Sequence, residues 1–330
     1  MTQETLRPHP HGWLVLDKPR GLGSTQAVAA VKRVLRQAGY GKVKIGHGGT
    51  LDPLAEGVLP IALGEATKLA GRMLDARKTY AFTIHFGEET DTLDAEGRVV
   101  AASDRRPPLA AVAAILEHFT GALEQAPPAY SALKVDGRRA YDLARAGEAV
   151  ALATRRVTVH SLELMVGRGT TPLDSAFVTS DAFAPAAPVE LADSVTLIAN
   201  VSKGTYIRSL ARDIAHALGT VGHVAYLRRI QAGPFTEDQA ISLDILDEIG
   251  NGARLEDHLL PLEAGLDGIP ALTLDPESAQ AARQGRVLSG MLEPDGLYLA
   301  TAGKVPVALV DLKGGTAKVV RGFNLTDTAE

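Results

Sequence analysis

The stretch that most constrains the fold of this chain runs from Gly46 to Pro60 and reads GHGGTLDPLAEGVLP. Three glycines within four positions leave the backbone open to positive φ and to close approach by another molecule. Pro53 disfavours the α region for Asp52, the residue before it. Because apolar segments lie on both sides, the stretch predicts a loop between two buried elements, with the Asp52 carboxylate at its rim.

Asp52 has two interpretations on this pattern. Asp followed by Pro is a common helix start, with the Asp side chain as cap and Pro at the first helical position. A capping box would have Glu or Gln at position 55, but Ala55 stands there and Glu56 comes one residue late. A helix cap and a functional carboxylate therefore both stay open.

Charge is distributed unevenly along the 330 residues. The formal net charge of -5 argues against a polyanionic partner. Residues 1–50, however, hold eight Lys or Arg against two Asp or Glu, and residues 231–270 hold one Arg against nine Asp or Glu. A basic surface can thus coexist with an acidic one, so nucleic acid stays open as a partner beside an ordinary solvated surface.

Composition and motifs exclude several kinds of site. The chain has no cysteine, which excludes disulfides, thiolate zinc sites and cysteine nucleophiles. The glycines at 21–23 and 46–49 lack the spacing of a nucleotide-cofactor fingerprint. No run of about 18 apolar residues could span a bilayer, and residues 1–10 lack the apolar core of a signal peptide. We expect a cytoplasmic protein without membrane contact, metal or cofactor.

The acidic stretch Glu88–Gly97 carries five carboxylates in ten residues. A calcium loop of the EF-hand type needs oxygen ligands at alternate positions and glycine at the sixth. The carboxylates here are irregularly spaced, and the glycine is displaced from that position. The stretch predicts a solvated hairpin connection.

Hydrophobic periodicity predicts the order of the main elements. We expect strands over 12–18, 58–63, 78–87 and 195–201, helices over 24–35, 108–119 and 202–218, then a small β-rich module after residue 268 with one helix over 276–284. Tyr80 shares a strand face with Phe82, so pattern alone favours core packing for its ring. Arg208 lies off the apolar stripe in a first helical turn, which indicates either a nearby carboxylate or an exposed arginine without a role.

Six motifs, taken in order, resemble the TruB family of tRNA pseudouridine synthases. They are LDKP at 16–19, GHGGTLDPLA at 46–55, KTY at 78–80, YSALK at 130–134, KGTYIR at 203–208 and YLRR at 226–229. The resemblance covers residues 12 to 236. The tail after residue 268 looks like the PUA-type RNA-binding module that these enzymes often carry.

The resemblance implies an α+β fold in two domains. Residues 1–265 would form a catalytic domain with a mixed, mainly antiparallel sheet flanked by helices. This domain would include an RNA-binding arm at about 126–150, where basic and aromatic residues alternate, and a loop insertion at about 166–191. Residues 268–330 would form a small β-rich, PUA-like domain.

The resemblance also implies roles for individual residues. Asp52 matches the catalytic aspartate, Tyr80 the tyrosine that stacks on the target uracil, and Arg208 the arginine that pairs with the aspartate. His47 matches a histidine that props open the RNA loop. The substrate-binding positions that complete the expected site are Lys18, Gly49, Thr50, Tyr206 and Leu227. Two positions depart from the family, since Gly48 and Glu56 stand where it usually has Thr, and they predict a looser, more acidic loop.

The activity implied is the isomerisation of uridine 55 in the T-loop of tRNA by a monomer that flips the base out of its stack. An ionised carboxylate can act as nucleophile, a nearby arginine keeps it ionised, and aromatic stacking offsets the cost of base flipping. Whether the carboxylate reacts at C6 of the base or at C1′ stays open. Two alternatives are an RNA-binding, tRNA-folding protein and a synthase subunit directed by guide RNA.

Overall fold

The computed structural model describes residues 7–131, 133–135, 137–148, 152–166, 176–177 and 190–325. The helices are Ser24–Gln37 (α1), Ala70–Asp75 (α2), Leu109–Ile115 (α3), Ala140–Arg145 (α4), Ile207–Ala217 (α5), Leu243–Gly250 (α6) and Pro276–Arg283 (α7). Most of the expected insertion at 166–191 lies outside the described residues.

The strands of the first part of the chain are Gly12–Lys18 (β1), Ile45–His47 (β2), Glu56–Leu63 (β3), Lys78–Phe86 (β4), Glu88–Thr90 (β5), Val99–Ala102 (β6), Gly121–Gln125 (β7), Lys134–Val135 (β8), Arg138–Arg139 (β9), Arg155–Val166 (β10), Ala176–Phe177 (β11), Ser194–Val201 (β12), Gly222–Ala232 (β13) and Phe235–Thr236 (β14). The strands of the last part are Ala271–Thr273 (β15), Leu288–Ser289 (β16), Gly296–Ala302 (β17), Val305–Lys313 (β18) and Thr316–Gly322 (β19).

A large sheet organises the first part of the chain. Among the described residues it has ten strands in the order β1-β3-β13-β4-β12-β10-β11, with β2 beside β3, β7 beside β10 and β14 beside β13. Its pairs are antiparallel except β3 with β13, which run parallel at two register positions. The mixed sheet with flanking helices confirms the α+β prediction.

The two faces of this sheet bury different cores because side chains alternate along each strand. On β1, Leu14 and Leu16 join the core that α1, α5 and α6 cover, whereas Trp13 and Val15 join the core on the other side. Helix α1 begins at Ser24 as predicted and buries its apolar side. Helix α5 begins at Ile207, so the predicted start at residue 202 is wrong by five positions.

The C-terminal sheet has the strand order β15-β17-β18-β19-β16 and a core of its own that α7 covers. It also packs against the first sheet, because Leu309 and Phe323 belong to the same buried cluster as Trp13. Two hydrogen bonds join the units: Lys68 Nζ donates to the Gly322 carbonyl at 2.9 Å, and the Asn324 amide donates to Glu65 Oε2 at 2.7 Å. In the described ranges, no helix is long and apolar enough to cross a membrane.

Candidate active site

The loop that carries Asp52 contains no helix. Residues 51–55 are irregular, with one turn in which the Ala55 amide donates to the Asp52 carbonyl at 3.1 Å, and β3 begins directly afterwards at Glu56. The helix-cap interpretation of Asp52 is therefore wrong. The apolar run after the loop continues as a strand of the large sheet, which leaves no room for a helical turn.

Arg208 forms an ion pair with Asp52. Its Nη2 atom lies 2.7 Å from Asp52 Oδ2, and 39% of the Asp52 side chain is exposed against 6% of the Arg208 side chain. A buried arginine thus supports a carboxylate that still faces outward. The structure resolves the two interpretations of Arg208: the carboxylate is present, and the arginine is not exposed.

Arg208 has further acceptors that fix its guanidinium. Nη1 donates to the Thr92 carbonyl at 2.8 Å and lies 3.4 Å from Asp94 Oδ2, and Nη2 donates to the Tyr130 carbonyl at 3.0 Å. Asp94 is buried, and its other oxygen accepts from Thr92 Oγ1 at 2.6 Å. A planar guanidinium with several fixed acceptors has one orientation, so Asp52 meets a preorganised partner.

Asp94 is the residue in this network that the sequence did not reveal. The acidic stretch was predicted to be a solvated connection, and that prediction is wrong at Asp94. It does hold for the hairpin itself, since β5 and β6 pair antiparallel on either side of the stretch. Leu93, beside Asp94, has φ of 62°. Asp94 lies next to β13, because the Ala95 amide donates to the Val224 carbonyl at 3.1 Å.

Backbone and side-chain hydrogen bonds hold the Asp52 loop on both sides. Ser24 Oγ donates to the Leu51 carbonyl at 2.9 Å and accepts from the Leu51 amide at 2.8 Å, while the Gly21 amide donates to the Pro53 carbonyl at 2.7 Å. The residue before Asp52 is therefore anchored to the first residue of α1, and the residue after it to the turn between β1 and α1.

Lys18 supports that turn. Its side chain is buried, and Nζ donates to the carbonyls of Pro19 at 3.0 Å and Leu22 at 2.7 Å. Burial lowers the pKa of Lys18 to about 8, although the nearby Asp52 and Glu56 carboxylates oppose the shift. The structure thus places Lys18 beneath the site, with its ammonium group engaged by backbone carbonyls.

Arg229 is a second residue whose contribution the sequence did not reveal. Its side chain is buried, Nε donates to the Val58 carbonyl at 2.7 Å, and Nη2 and Nη1 lie 3.2 Å and 3.4 Å from the carbonyls of Gly49 and Thr50. Within the described part of the chain it pairs with no carboxylate. Arg229 therefore joins the start of the Asp52 loop to the strand that follows it.

The two departures from the family have local explanations. A Cβ atom on Gly48 would lie 2.8 Å from Met73 Cβ, so this position is closed to larger residues while Met73 occupies that place. Glu56 Oε1 accepts from Tyr226 Oη at 2.9 Å and lies 3.4 Å from Arg228 Nη1. Arg228 also pairs with Asp17 and Glu237, so one guanidinium is shared by three carboxylates, and the surroundings of Glu56 are acidic as predicted.

Tyr80 and Leu227 lie on neighbouring strands. In the β4–β13 register, Tyr80 is opposite Arg229 and Leu227 is opposite Phe82, so these four side chains share one sheet face. Arg229 reaches the Asp52 loop from that face. Tyr80 packs against the core, as its pattern predicts, but is only half-buried, so part of the residue stays accessible.

Tyr206 precedes α5, and the Gln125 side chain holds it through both of its backbone polar groups. Its amide donates to Gln125 Oε1 at 2.8 Å, and its carbonyl accepts from Gln125 Nε2 at 3.1 Å. The Arg155 guanidinium lies 4.5 Å from the centre of the Tyr206 ring. This clamp fixes the chain two residues before Arg208.

His47 ends β2 and opens the loop. Burial lowers the pKa of its imidazole, and the nearby Arg229 charge acts in the same direction. Nδ1 accepts from the Gly49 amide at 3.4 Å. Gly49 is buried with φ of 135°, a conformation that favours glycine, whereas Thr50 is exposed.

In the described ranges, no group of three or more His, Asp or Glu side chains is arranged to hold a metal ion. What the site presents is an outward-facing carboxylate, a fixed guanidinium behind it and a half-buried aromatic ring on the adjoining sheet face. A carboxylate in such a setting can act as nucleophile on a flat substrate that stacks on the ring.

Comparison with protein families agrees with this geometry. Residues 32–207 match the model of the TruB family pseudouridylate synthase N-terminal domain, and residues 208–267 match the tRNA pseudouridylate synthase B C-terminal domain. The chain belongs to the TruB family. The match to the N-terminal model contains Asp52 and Tyr80, and Arg208 begins the next match.

Two TruB relatives match over nearly their whole length. A protein of Novosphingobium aromaticivorans named tRNA pseudouridine synthase B is 65% identical over 319 residues, which cover 97% of this chain and 99% of that protein. A protein of Zymomonas mobilis with the same name is 54% identical over 324 residues, with 97% and 99% covered.

Solved structures of the wider family share the fold. A chain in an H/ACA RNP bound to a substrate RNA containing 2′-deoxyuridine is 25% identical, with a TM-score of 0.66 over 96% of this chain and 86% of that one. A chain in a Cbf5-Nop10-Gar1 complex gives the same identity and TM-score over 94% of this chain and 84% of that one.

Proposed function

We propose that this chain isomerises uridine to pseudouridine in tRNA, and that its target is uridine 55 in the T-loop. The observation that carries the proposal is the outward-facing Asp52 carboxylate bound to the buried Arg208 at 2.7 Å. Membership of the TruB family and the names of the relatives support the substrate class.

The reaction rearranges one base without a change in composition. The bond from N1 of uracil to C1′ of ribose breaks, the base turns, and a bond from C5 to C1′ forms. The proton on C5 leaves, and N1 gains a proton, so neither an oxidant nor a cofactor is required. Asp52 supplies the nucleophilic carboxylate, and Tyr80 supplies a stacking surface for the flipped base.

Arg208 holds the Asp52 carboxylate in one orientation while the base turns. The other acceptors of Arg208 keep its guanidinium in place during this movement. His47, Tyr206 and Leu227 complete the pocket in this proposal. Gly49 and Thr50 bring the backbone close to RNA, and Lys18 supports the turn beneath.

The same proposal covers the organisation of the protein. Residues 1–265 are the catalytic domain with an arm at 126–150 for the T-arm, and residues 268–330 are a PUA-like RNA-binding domain. The chain acts as a monomer in the cytoplasm. The ion pair of Asp52 and Arg208 comes from a single chain, which supports catalysis without a second subunit.

Tritium release from a tRNA transcript tests the proposal directly. With tritium at C5 of its uridines, the purified chain alone should release one tritium per tRNA, since C5 loses its hydrogen when it bonds to C1′. A matched transcript with cytidine at position 55 should release none. Equal release from both transcripts would contradict the assignment to position 55.

The same assay separates the alternatives. Release that requires an added guide RNA would favour a guide-directed subunit. No release, together with faster folding of a misfolded tRNA, would favour a tRNA-folding protein.

A further inference from the structure

A cavity of about 520 Å³ lies between α1, the loop that follows it and β2. Its apolar lining comes from Leu35, Val43 and Ile45, and its basic lining comes from Lys32, Arg36 and Lys42. The three cations are exposed, and Leu35 is buried. The cavity therefore combines an apolar wall with a positively charged rim.

The cations of this rim have no carboxylate partner within ion-pair distance in the part of the chain that the structure describes. Arg33 follows Lys32 on α1 and is paired, because its Nη2 atom lies 3.6 Å from Asp247 Oδ1. Lys32 and Arg36 are four positions apart on α1, where like charges destabilise a helix by a few tenths of a kcal/mol. An anion bound between them would remove this repulsion.

The chemistry of the cavity fits a nucleotide. A phosphate can pair with the lysine and arginine side chains, and the adjoining base can pack against the aliphatic wall. Arginine also stacks on bases and binds phosphate through its planar group. All the residues that line the cavity belong to the basic segment 1–50, whereas the acidic segment is at 231–270.

The position of the cavity connects it to the Asp52 loop. Ile45 and His47 begin and end β2 and lie on the same side of the strand, about 7 Å apart along it. An RNA strand that contacts His47 and follows β2 towards Ile45 would reach the cavity within about one nucleotide. We infer that this cavity binds a phosphate and base of the tRNA substrate outside the catalytic cleft. The inference rests on the proposed function.

Two matched pairs of substitutions test this inference. The cavity pair is Arg36→Gln with Lys42→Gln, and the control pair is Arg33→Gln with Lys44→Gln. Each pair removes one arginine of α1 and one lysine of the following loop, but only the first pair lines the cavity. All four residues are exposed, so both variants should fold, which circular dichroism checks.

The measurements are tRNA affinity at several salt concentrations and single-turnover tritium release at saturating tRNA. The cavity pair should weaken binding about tenfold and lower the slope of log K against log salt by about 1 to 2, while the rate constant at saturation stays within about twofold. The control pair should change affinity by less than about twofold.

Equal weakening by the two pairs would overturn the inference, because it would reflect the overall charge rather than the cavity. Unchanged affinity in the cavity pair would also overturn it. The wild-type chain in the same assay distinguishes the two proposals. If it releases no tritium, the proposed function fails, and if it is active while the two pairs behave alike, only the cavity assignment fails.

Discussion

The guanidinium of Arg208 lies between two carboxylates of different surroundings. Asp52 is partly exposed, and Asp94 is buried with Thr92 beside it. The buried carboxylate balances the charge of the arginine from behind, and the exposed one is left for chemistry. Arginine geometry is essential to this arrangement, since a lysine cannot contact acceptors on several sides in one plane.

Substituting Arg208→Lys should therefore lower the single-turnover rate of tritium release by about 100-fold or more, the usual scale for loss of one fixed charge-stabilising donor. A positive charge remains in the variant, so the loss would come from geometry. The affinity for tRNA should change little because Arg208 is buried. A rate within a few fold of wild type would show that the orientation of Asp52 does not depend on this guanidinium.

Arg229 acts on the same loop from the opposite side. Arg229→Met keeps the volume but removes the donors to the Gly49, Thr50 and Val58 carbonyls. We expect a lower kcat with a smaller change in KM, because the substitution makes the Asp52 loop more mobile and leaves the residues proposed to contact RNA unchanged. Arg229→Lys should recover part of kcat, since lysine can donate to the same carbonyls.

Urea unfolding measures how much of the Arg229→Met protein is folded. If the variant is only less stable and its folded fraction has a normal kcat, a positioning role for Arg229 is contradicted. Leaving buried carbonyls unpaired costs about 1 to 3 kcal/mol each, so a moderate loss of stability is expected in any case. The kcat of the folded fraction is the deciding quantity.

At the scale of elements, the Lys78 side chain caps the C-terminus of α2. Its side chain is buried at the start of β4, and Nζ donates to the carbonyls of Met73, Leu74 and Ala76 at 2.7 to 2.8 Å. A cation at a helix C-terminus is favourable. Burial nevertheless lowers the pKa of Lys78 to about 8 from an ordinary 10.5.

This shift predicts a pH dependence. Between about pH 8 and 10.5 the unfolded chain keeps the Lys78 proton that the folded chain has released, so folding stability rises with pH across this window. The free energy of unfolding of wild type relative to Lys78→Met should accordingly increase from pH 8 to 10.5 and stay constant from pH 6 to 7.5. Urea unfolding at each pH measures it, and a decrease across the upper window would contradict the assignment.

Local periodicity was sufficient for most elements, because β1, α1, β4 and α7 bury the faces that their apolar spacing indicates. The start of α5 was misjudged because Ser202 resembles a helix cap, whereas the chain makes a turn there before Ile207. Such a choice depends on tertiary contacts, here the clamp between Gln125 and Tyr206, which no local pattern contains.

The site was only partly predictable because its contacts, too, are tertiary. Asp52 and Arg208 were paired only through the family resemblance, since they are 156 residues apart. Asp94 and Arg229 contribute through long-range hydrogen bonds to the network and the loop. Asp94 has no local signature, and Arg229 stands in the YLRR motif, which does not by itself reveal what its side chain contacts. A carboxylate in an acidic stretch and an arginine in a strand have no distinguishing sequence pattern until their partners are known.

At the scale of the whole molecule, the C-terminal sheet shares a core with the N-terminal strand. Phe323 and Leu309 join the cluster of Trp13, which also contacts Phe235 with ring centres 5.2 Å apart. Trp13 is the single tryptophan of the chain. Its fluorescence therefore reports on the contact between the two sheets.

Phe323→Ala should lower the free energy of unfolding by about 3 to 5 kcal/mol, the usual cost of truncating a buried phenylalanine. Urea unfolding followed by Trp13 fluorescence measures the change. The control is Val320→Ala, three positions earlier on β19, where the side chain is exposed and the change should stay within about 0.5 kcal/mol. Similar values for the two variants would indicate that the sheets are not energetically coupled.

The central claim is that Asp52 performs the chemistry on a base that the rest of the protein binds. Single-turnover tritium release by Asp52→Asn, measured beside its tRNA affinity, tests this claim most directly, because asparagine keeps the shape and removes the charge. We predict a rate at least about 1,000-fold lower, with affinity within about threefold of wild type. A rate within tenfold of wild type would contradict the claim.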